Sequence, residues 1–226
     1  MSIKESYTIK SIDSYECHDW LLNKHYAKRI PPIEYSFGLL KFDLLVGVIT
    51  FGTPVSNSLR NIFDGKYKIL ELNRLVVNEG LDKNCLSYFV SSSIKMLPKP
   101  TVLVSYADTA QNHHGYIYQA TNWIYTGLSA KRTDYSVKGL EHLHGSTIYD
   151  MSRGKENRSK YLKEKFGDDL FITDRSRKHR YFMFLGSSSD IKEMKSKLPY
   201  NQEPYPKGEN KRYDSSYEPK PQIKLF

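Results

Sequence analysis

Apolar and polar positions alternate from Tyr7 to Ile12, which predicts a strand, because side chains along a strand point to opposite faces in turn. Asp13 or Ser14 is then placed to cap a helix running to about Lys24, with Trp20, Leu21 and Leu22 toward a core. Pro31 and Pro32 close that region. Ile33 to Phe42 and Leu44 to Phe51 read as antiparallel strands joined by a tight turn at Phe42-Asp43. Lys66 to Val77 predicts a further strand, Cys85 to Met96 a helix capped by Asn84, and Thr101 to Tyr106 a short buried strand. A loop with His113, His114 and Gly115 leads into a short helix, Tyr116 to Thr121, and another strand from Trp123 to Gly127. Strands alternating with helices in this order predict a mixed α/β fold around one central sheet.

After about residue 150 the pattern changes. Between Arg153 and Arg180 basic residues outnumber acidic ones ten to five. This stretch predicts a basic helix, followed by a strand from Tyr181 to Leu185 and a helix from Ser189 to Leu198. From Pro199 onward there is no periodicity, which reads as an extended or disordered tail. The expected organisation is a catalytic domain over residues 1–150, a basic α/β extension over 151–198 that contacts nucleic acid, and a tail over 199–226.

Charge narrows the function classes. The formal net charge is +9 and the pI about 9.3, a balance that favours phosphate backbones and the release of their counterions. Eighteen tyrosines add faces on which unstacked bases can lie, although tyrosine also suits half-buried strands. No apolar run approaches the roughly 20 residues of a membrane span, and Met1 to Lys10 lacks a secretory signal. Cys17 and Cys85 lack metal-ligand spacing and read as reduced intracellular thiols.

The strongest local constellation is Val104-Ser105-Tyr106-Ala107-Asp108, a buried strand ending in a carboxylate at the edge where open α/β sheets bind ligands. Asp108 there either accepts a proton or hydrogen bond from an amine, or caps the following turn. Tyr118 is either a general acid and hydrogen-bond donor, or a packing residue between Ile117 and Trp123. His25, near a helix C-terminus, has a structural reason in the helix dipole. Functionally, His25, Tyr26 and Asp108 offer N and O ligands to a redox metal such as iron, and His113, His114, His142 and His144 are further candidates. Glu71, Asn73 and Arg74 are polar residues on an otherwise apolar strand, with Glu71 and Asn73 expected on one face, directed into a substrate site or a buried network.

Together these segments resemble the Mom family of phage DNA adenine-modifying enzymes, which share the acetyltransferase (GNAT) fold. The resemblance runs through His25-Tyr26, Gly47-Val48-Ile49-Thr50-Phe51-Gly52, Glu71-Leu72-Asn73-Arg74-Leu75-Val76-Val77 and the segment from Ser105 to Trp123. Lys178-His179-Arg180-Tyr181 and Pro204-Tyr205-Pro206-Lys207-Gly208 add to it. It implies conversion of the N6 amine of adenine in double-stranded DNA to a carbamoylmethyl form, shielding phage DNA from restriction in the cytoplasm of the bacterial host. It further implies catalytic roles for His25, Tyr26, Ser105, Asp108 and Tyr118, with Fe(II) as a ligand at His25, Tyr26 and Asp108. A target base must be flipped out to be reached. Lys28, Arg29, Lys155, Arg158, Lys160, Lys163, Arg175, Arg177, Lys178 and Arg180 are the expected DNA contacts. One departure stands out: the turn Val77 to Asn84 has one glycine and two acids, where acetyltransferases hold the coenzyme A pyrophosphate on a basic, glycine-rich turn. Acetyl-CoA as donor is therefore in question. Two further readings are an N-acyltransferase acting on a small amine or protein and a DNA-binding module without activity. Assembly is open, with a homodimer as one reading.

Overall fold

The computed structural model describes residues 3–143 and 145–208; His144 and residues 209–226, most of the expected tail, lie outside it. In chain order the elements are α1 (Ile3–Ser6), β1 (Tyr7–Ser11), β2 (Tyr35–Lys41), β3 (Leu44–Gly52), α2 (Asn57–Arg60), β4 (Lys68–Val77), α3 (Cys85–Lys95), β5 (Thr101–Asp108), α4 (Tyr116–Ala120) and β6 (Ile124–Leu128). They continue as β7 (Arg132–Val137), α5 (Gly145–Asp150), α6 (Arg158–Phe166), β8 (Leu170–Arg175), β9 (Lys178–Leu185) and α7 (Ser188–Lys197). The helical stretch expected before Lys24 is a 3-10 turn over Ser14–Cys17 and a π-helical turn over Trp20–Lys24.

The chain forms two units, one comprising residues up to Gly127 together with those from His179, the other Leu128–Lys178. In the first, seven strands lie in the order β1-β2-β3-β4-β5-β9-β6. β1 to β4 are antiparallel neighbours, and β4 runs parallel to β5. This is the mixed α/β sheet that the strand–helix alternation predicts. The β2–β3 turn places both Phe42 and Asp43 at positive φ, 49° and 61°, the two-residue geometry whose twist matches paired strands.

Both faces of the sheet are covered, which explains the continuous apolar run of β5. Leu70, Leu72 and Leu103 pack on one face against Phe89, Val90 and Ile94 of α3. Ile69, Val102 and Val104 pack on the other with Leu59, Phe63 and Met194. Cys17, Trp20 and Leu21 form a third cluster with Val48 and Val76.

The strand expected within the basic extension is β9, and it sits inside the main sheet between β5 and β6. The sequence boundaries at about 150 and 198 therefore differ from the units in the structure, which part at 127/128 and 178/179. The reason is non-local: the chain leaves the sheet after β6 and returns to it with β9. The second unit is an insertion built on the antiparallel pair β7–β8, with a small core of Val137, Ile148 and Leu162. Periodicity reveals its basic helix α6 and misses the β7–β8 pair, whose half-exposed strands mix charged and apolar residues. Among the described residues no helix is long and apolar enough to cross a membrane.

Glu193 of α7 ties this helix to the entry of β4, accepting from Lys66 Nζ at 2.6 Å and Tyr67 Oη at 2.8 Å, and pairing with Lys197 at 3.1 Å. These donors, Lys66 first, hold its carboxyl down to about 2 from an ordinary 4.5. A lowered folded-state pKa stabilises above the ordinary value and loses that contribution as pH falls through the folded one. Glu193→Gln is expected to melt slightly below the parent at neutral pH, because exposed ion pairs contribute little. The gap should close between pH 4.5 and about 2 in thermal melts followed by circular dichroism; a gap indifferent to pH would refute the assignment.

Candidate active site

β4 and β5 are in register only from Lys68–Leu72 to Thr101–Ser105, although β4 continues to Val77 and β5 to Asp108. Past that point each strand's backbone groups lack a partner on the other. Ser105 closes the last gap: its Oγ lies 2.8 Å from the Leu72 carbonyl oxygen and 2.7 Å from Tyr118 Oη. A carbonyl only accepts, so the single serine proton goes to Leu72 and the Tyr118 phenol donates to Oγ.

A β-bulge shapes the β4 side of the opening. Thr50 lies opposite Arg74 and Phe51 opposite Leu72, so Asn73 is the extra residue. Leu70 and Leu72, then Leu75 and Val77, pack on one cluster, whereas Ile69 and Val76 pack elsewhere. The phase change puts Arg74 in step with Glu71 and overturns the expected shared face of Glu71 and Asn73. Asn73 instead pins the preceding loop, accepting from Thr50 Oγ1 at 2.6 Å and donating to the Pro32 carbonyl at 2.8 Å. Arg74 donates to the carbonyls of Asn73 at 2.6 Å and Arg29 at 3.4 Å, and its buried Nε has no hydrogen-bond partner among the described residues. Burial lowers the Arg74 pKa, while Tyr26 and Glu71 pull it back up.

The Tyr118 to Trp123 segment is a single helical turn with a fixed exit. Trp123 N–H donates to the Tyr118 carbonyl at 2.9 Å and Asn122 N–H to Gln119 at 3.1 Å, with Asn122 at φ 61°. That is a Schellman ending, which places asparagine where glycine would otherwise serve. The entrance needs Gly115 itself: φ is 74°, and a Cβ would collide with the Tyr181 ring. Tyr118 is thereby held between Trp123 and Tyr181, ring centroids 5.2 and 5.1 Å away. Burial above all, with Tyr26 and Glu71 adding, pushes its phenol well above the usual range, so it is a neutral donor at physiological pH. Sequence reading assigned no role to Gln119, Tyr181 or Tyr205, which brace this turn. Gln119 Nε2 donates to the carbonyls of His114 and Pro206 at 3.1 and 3.3 Å, Tyr181 Oη donates to the His114 carbonyl, and Tyr205 Oη to that of Trp123 at 2.6 Å. Residues 201–208 have no regular secondary structure, yet are docked through these bonds and Glu203 N–H to the Tyr125 carbonyl. The doublet Tyr205-Pro206 gave the signal.

His25 and Tyr26 follow the π-helical turn, with rings stacked at 4.4 Å. His25 Nδ1 accepts from the Ala27 N–H at 3.0 Å, and Tyr26 meets His113 edge-on at 5.8 Å. Burial raises the Tyr26 pKa, the Asp108 charge raises it further, and Arg74 opposes both. Asp108 Oδ1 accepts from Ala110 N–H at 3.0 Å, so the turn-capping role is present in the geometry alongside its field on Tyr26. Charge couplings link Tyr26 to Asp108 and Arg74, Arg74 to Glu71, and Tyr118 to Tyr26 and Glu71. The buried neutral phenol of Tyr118 is a proton donor, bonded to Ser105 Oγ.

The basic residues divide. Lys28 and Arg29 are exposed on the loop after Tyr26. In the inserted unit Lys155, Lys160 and Lys163 are exposed, Lys160 pairing loosely with Glu164 at 3.9 Å. Arg158 is turned inward, bonded to Ser152 Oγ and the Tyr149 carbonyl and stacked 3.5 Å from the Tyr149 ring. Arg177 donates to the Ser129 and Leu128 carbonyls, and Arg175 pairs with Asp134 at 3.7 Å. Lys178 begins β9, where its N–H bonds Ser129 Oγ. Arg180, in the first unit, grips Thr126 and stacks 3.5 Å from Tyr200.

The model of the Mom protein family matches residues 6–207. The chain belongs to the Mom protein family. The methylcarbamoylase mom of Escherichia phage Mu is 27% identical over 207 residues, covering 88% of this chain and 83% of that protein. Among solved structures, a GNAT acetyltransferase from Elizabethkingia anophelis with acetyl-CoA bound is 10% identical, with a TM-score of 0.45 over 80% of this chain and 99% of its own. An IAA acetyltransferase from Bacillus cereus is 13% identical, with a TM-score of 0.44 over 80% and 100%.

Nothing in the described geometry supports the iron expected at His25, Tyr26 and Asp108 in this Mom-family chain. Among the described residues no group of three or more His, Cys, Asp or Glu side chains is placed to hold a metal ion. The turn Val77 to Asn84 is also no basic cradle. Asp82 accepts from Tyr7 Oη at 2.8 Å and Lys41 Nζ at 3.3 Å, and these bonds lower its pKa and keep it charged beside the start of α3. A coenzyme A donor would need its phosphates held by other residues.

Titration of Tyr26 tests the couplings. Removing the Asp108 charge with Asp108→Asn should lower the Tyr26 pKa, and Arg74→Gln should raise it. Ring-labelled tyrosine followed by NMR across alkaline pH would read both; shifts in the same direction would break the assignment.

Proposed function

We propose that this chain is a phage DNA-modifying transferase that converts the N6 amine of adenine to a carbamoylmethyl form and protects phage DNA in the host cytoplasm. Membership of the Mom family and the similarity to the phage Mu methylcarbamoylase support the reading. The observation that carries it is the Ser105–Tyr118 hydrogen bond where β4 and β5 part, with Tyr26 stacked on His25 and coupled to Asp108 and Arg74. As N6 bonds to the methylene carbon of the donor, Asp108 receives the amine proton and Tyr118 donates its own to the departing group. Ser105 then turns its proton from Leu72 toward the phenolate, so the buried charge is met at once. Glu71 and Arg74 orient the donor, and His25 holds the Tyr26 ring against the flipped base. Lys28 and Arg29 near the site, and the inserted unit's exposed lysines, contact DNA phosphates.

Expression in bacteria, followed by digestion of cellular DNA to nucleosides and mass spectrometry, should reveal modified adenosine. Asp108→Asn should abolish it with folding intact, because asparagine still accepts from Ala110 N–H while losing the charge. Tyr118→Phe should abolish it at a cost of about 1 kcal/mol of stability from the lost buried hydrogen bond. Unmodified adenosine from soluble parent protein, or full modification by Asp108→Asn, would sink the reading.

DNA binding should weaken steeply with salt. The triple change Lys155→Ala, Lys160→Ala, Lys163→Ala should flatten the slope of log K against log salt by about one per lysine. Arg158→Ala should instead lower the melting temperature, given its internal bonds. Fluorescence anisotropy titrations at several salt concentrations separate these outcomes; an unchanged slope in the triple variant would remove the insertion from the DNA contact.

A further inference from the structure

Among the described residues β8 pairs with β7 alone, in a two-stranded sheet. Lys138 N–H donates to the Asp169 carbonyl at 2.9 Å, beside the Val137–Leu170 register pair. Hydrogen-bonded and non-hydrogen-bonded pairs alternate in an antiparallel ladder. The backbone groups of Asp169, Phe171, Thr173 and Arg175 therefore face β7, and those of Leu170, Ile172 and Asp174 face outward. Along this open edge Phe171 is 41% and Ile172 63% exposed. Natural edge strands are usually blunted by a lysine, a proline or a bulge at their centre. The centre of β8 is Phe171-Ile172-Thr173, good strand formers without such a block.

The strand is self-complementary. Laid antiparallel to a second copy about a two-fold axis at Ile172, its outward groups meet those of the same strand: Ile172 exchanges N–H and C=O bonds with Ile172 of the second copy. Asp174 N–H reaches the Leu170 carbonyl, whereas the Leu170 N–H already donates to the Gly167 carbonyl. In this register Phe171 faces Thr173, and Asp169 faces Arg175, at both ends of the pairing. Moving the axis to lie between Phe171 and Ile172 would set Asp169 against Asp174 and lose the match. Hydrogen-bond phase admits an axis at Leu170, Ile172 or Asp174, and the Asp169–Arg175 match selects Ile172 among them. We propose that the outer edge of β8 joins two copies of this chain into a symmetric dimer, extending the β7–β8 pair into a four-stranded sheet.

Sedimentation of the full chain should show a concentration-dependent rise from 26.3 kDa toward twice that mass. Ile172→Lys should remain monomeric, since two lysines would meet at the axis, with an unchanged circular dichroism spectrum. Arg175→Asp should weaken dimerisation about tenfold by setting acid against acid twice. Adding Asp169→Arg to it should restore the dimer. The intrachain Asp134–Arg175 contact is not rebuilt by that second change, so rescue reports the pairing between copies alone. A parent that stays monomeric, a dimer that survives Ile172→Lys, or a charge swap that fails to restore association would each overturn the proposal. Should Ile172→Lys fail to fold, the charge-swap pair decides.

Discussion

Two strands that part in mid-sheet leave amide and carbonyl groups without a ladder partner, and at Leu72 the hydroxyl of Ser105 supplies one. The rest of the candidate site hangs on that substitution. A buried carbonyl left unpaired is costly, so serine at the end of the β4–β5 register keeps the opening from being a defect. The same oxygen then receives the Tyr118 phenol, which couples a strand ending to a helix turn. Ser105 thus ties the end of the strand pairing to the Tyr118 phenol.

The bulge at Asn73 works with this opening. One extra residue reverses which side of β4 faces which cluster, bringing Arg74 beside Glu71 while Leu75 and Val77 stay in the main core. Asn73 repays the disruption with two side-chain bonds, to Thr50 and Pro32, that fasten the loop after Tyr26. Polar residues on this strand therefore serve two ends: one secures the wall of the site, the others enter its electrostatics.

The arginines of the insertion show why residue type alone misleads about nucleic-acid contacts. Arg158 and Arg177 spend their donors on nearby carbonyls and hydroxyls, as guanidinium forks do where a small core leaves loops to be tied down. Lysine, with one compact and well-hydrated charge, stays outside at Lys155, Lys160 and Lys163. The net charge of the segment is the same on either reading, but the charge available to phosphate is not.

The sequence by itself determined the mixed α/β class, the strands of the first unit and its helices α3, α4 and α7, because each rests on local periodicity or capping; it missed α1, α2 and the 3-10 and π turns before Lys24. Its resemblance carried the family. Tertiary structure alone decided that β9 returns to the sheet beyond an insertion, that the β4 alternation breaks at Asn73, and that Pro204 to Gly208 dock rather than trail. Those outcomes depend on contacts between residues far apart in the chain. It also decided the company of Asp108: a carboxylate that caps its own turn at Ala110, as local propensity predicts, while its charge falls on Tyr26, more than eighty residues earlier. No spacing rule connects those two residues; the fold does.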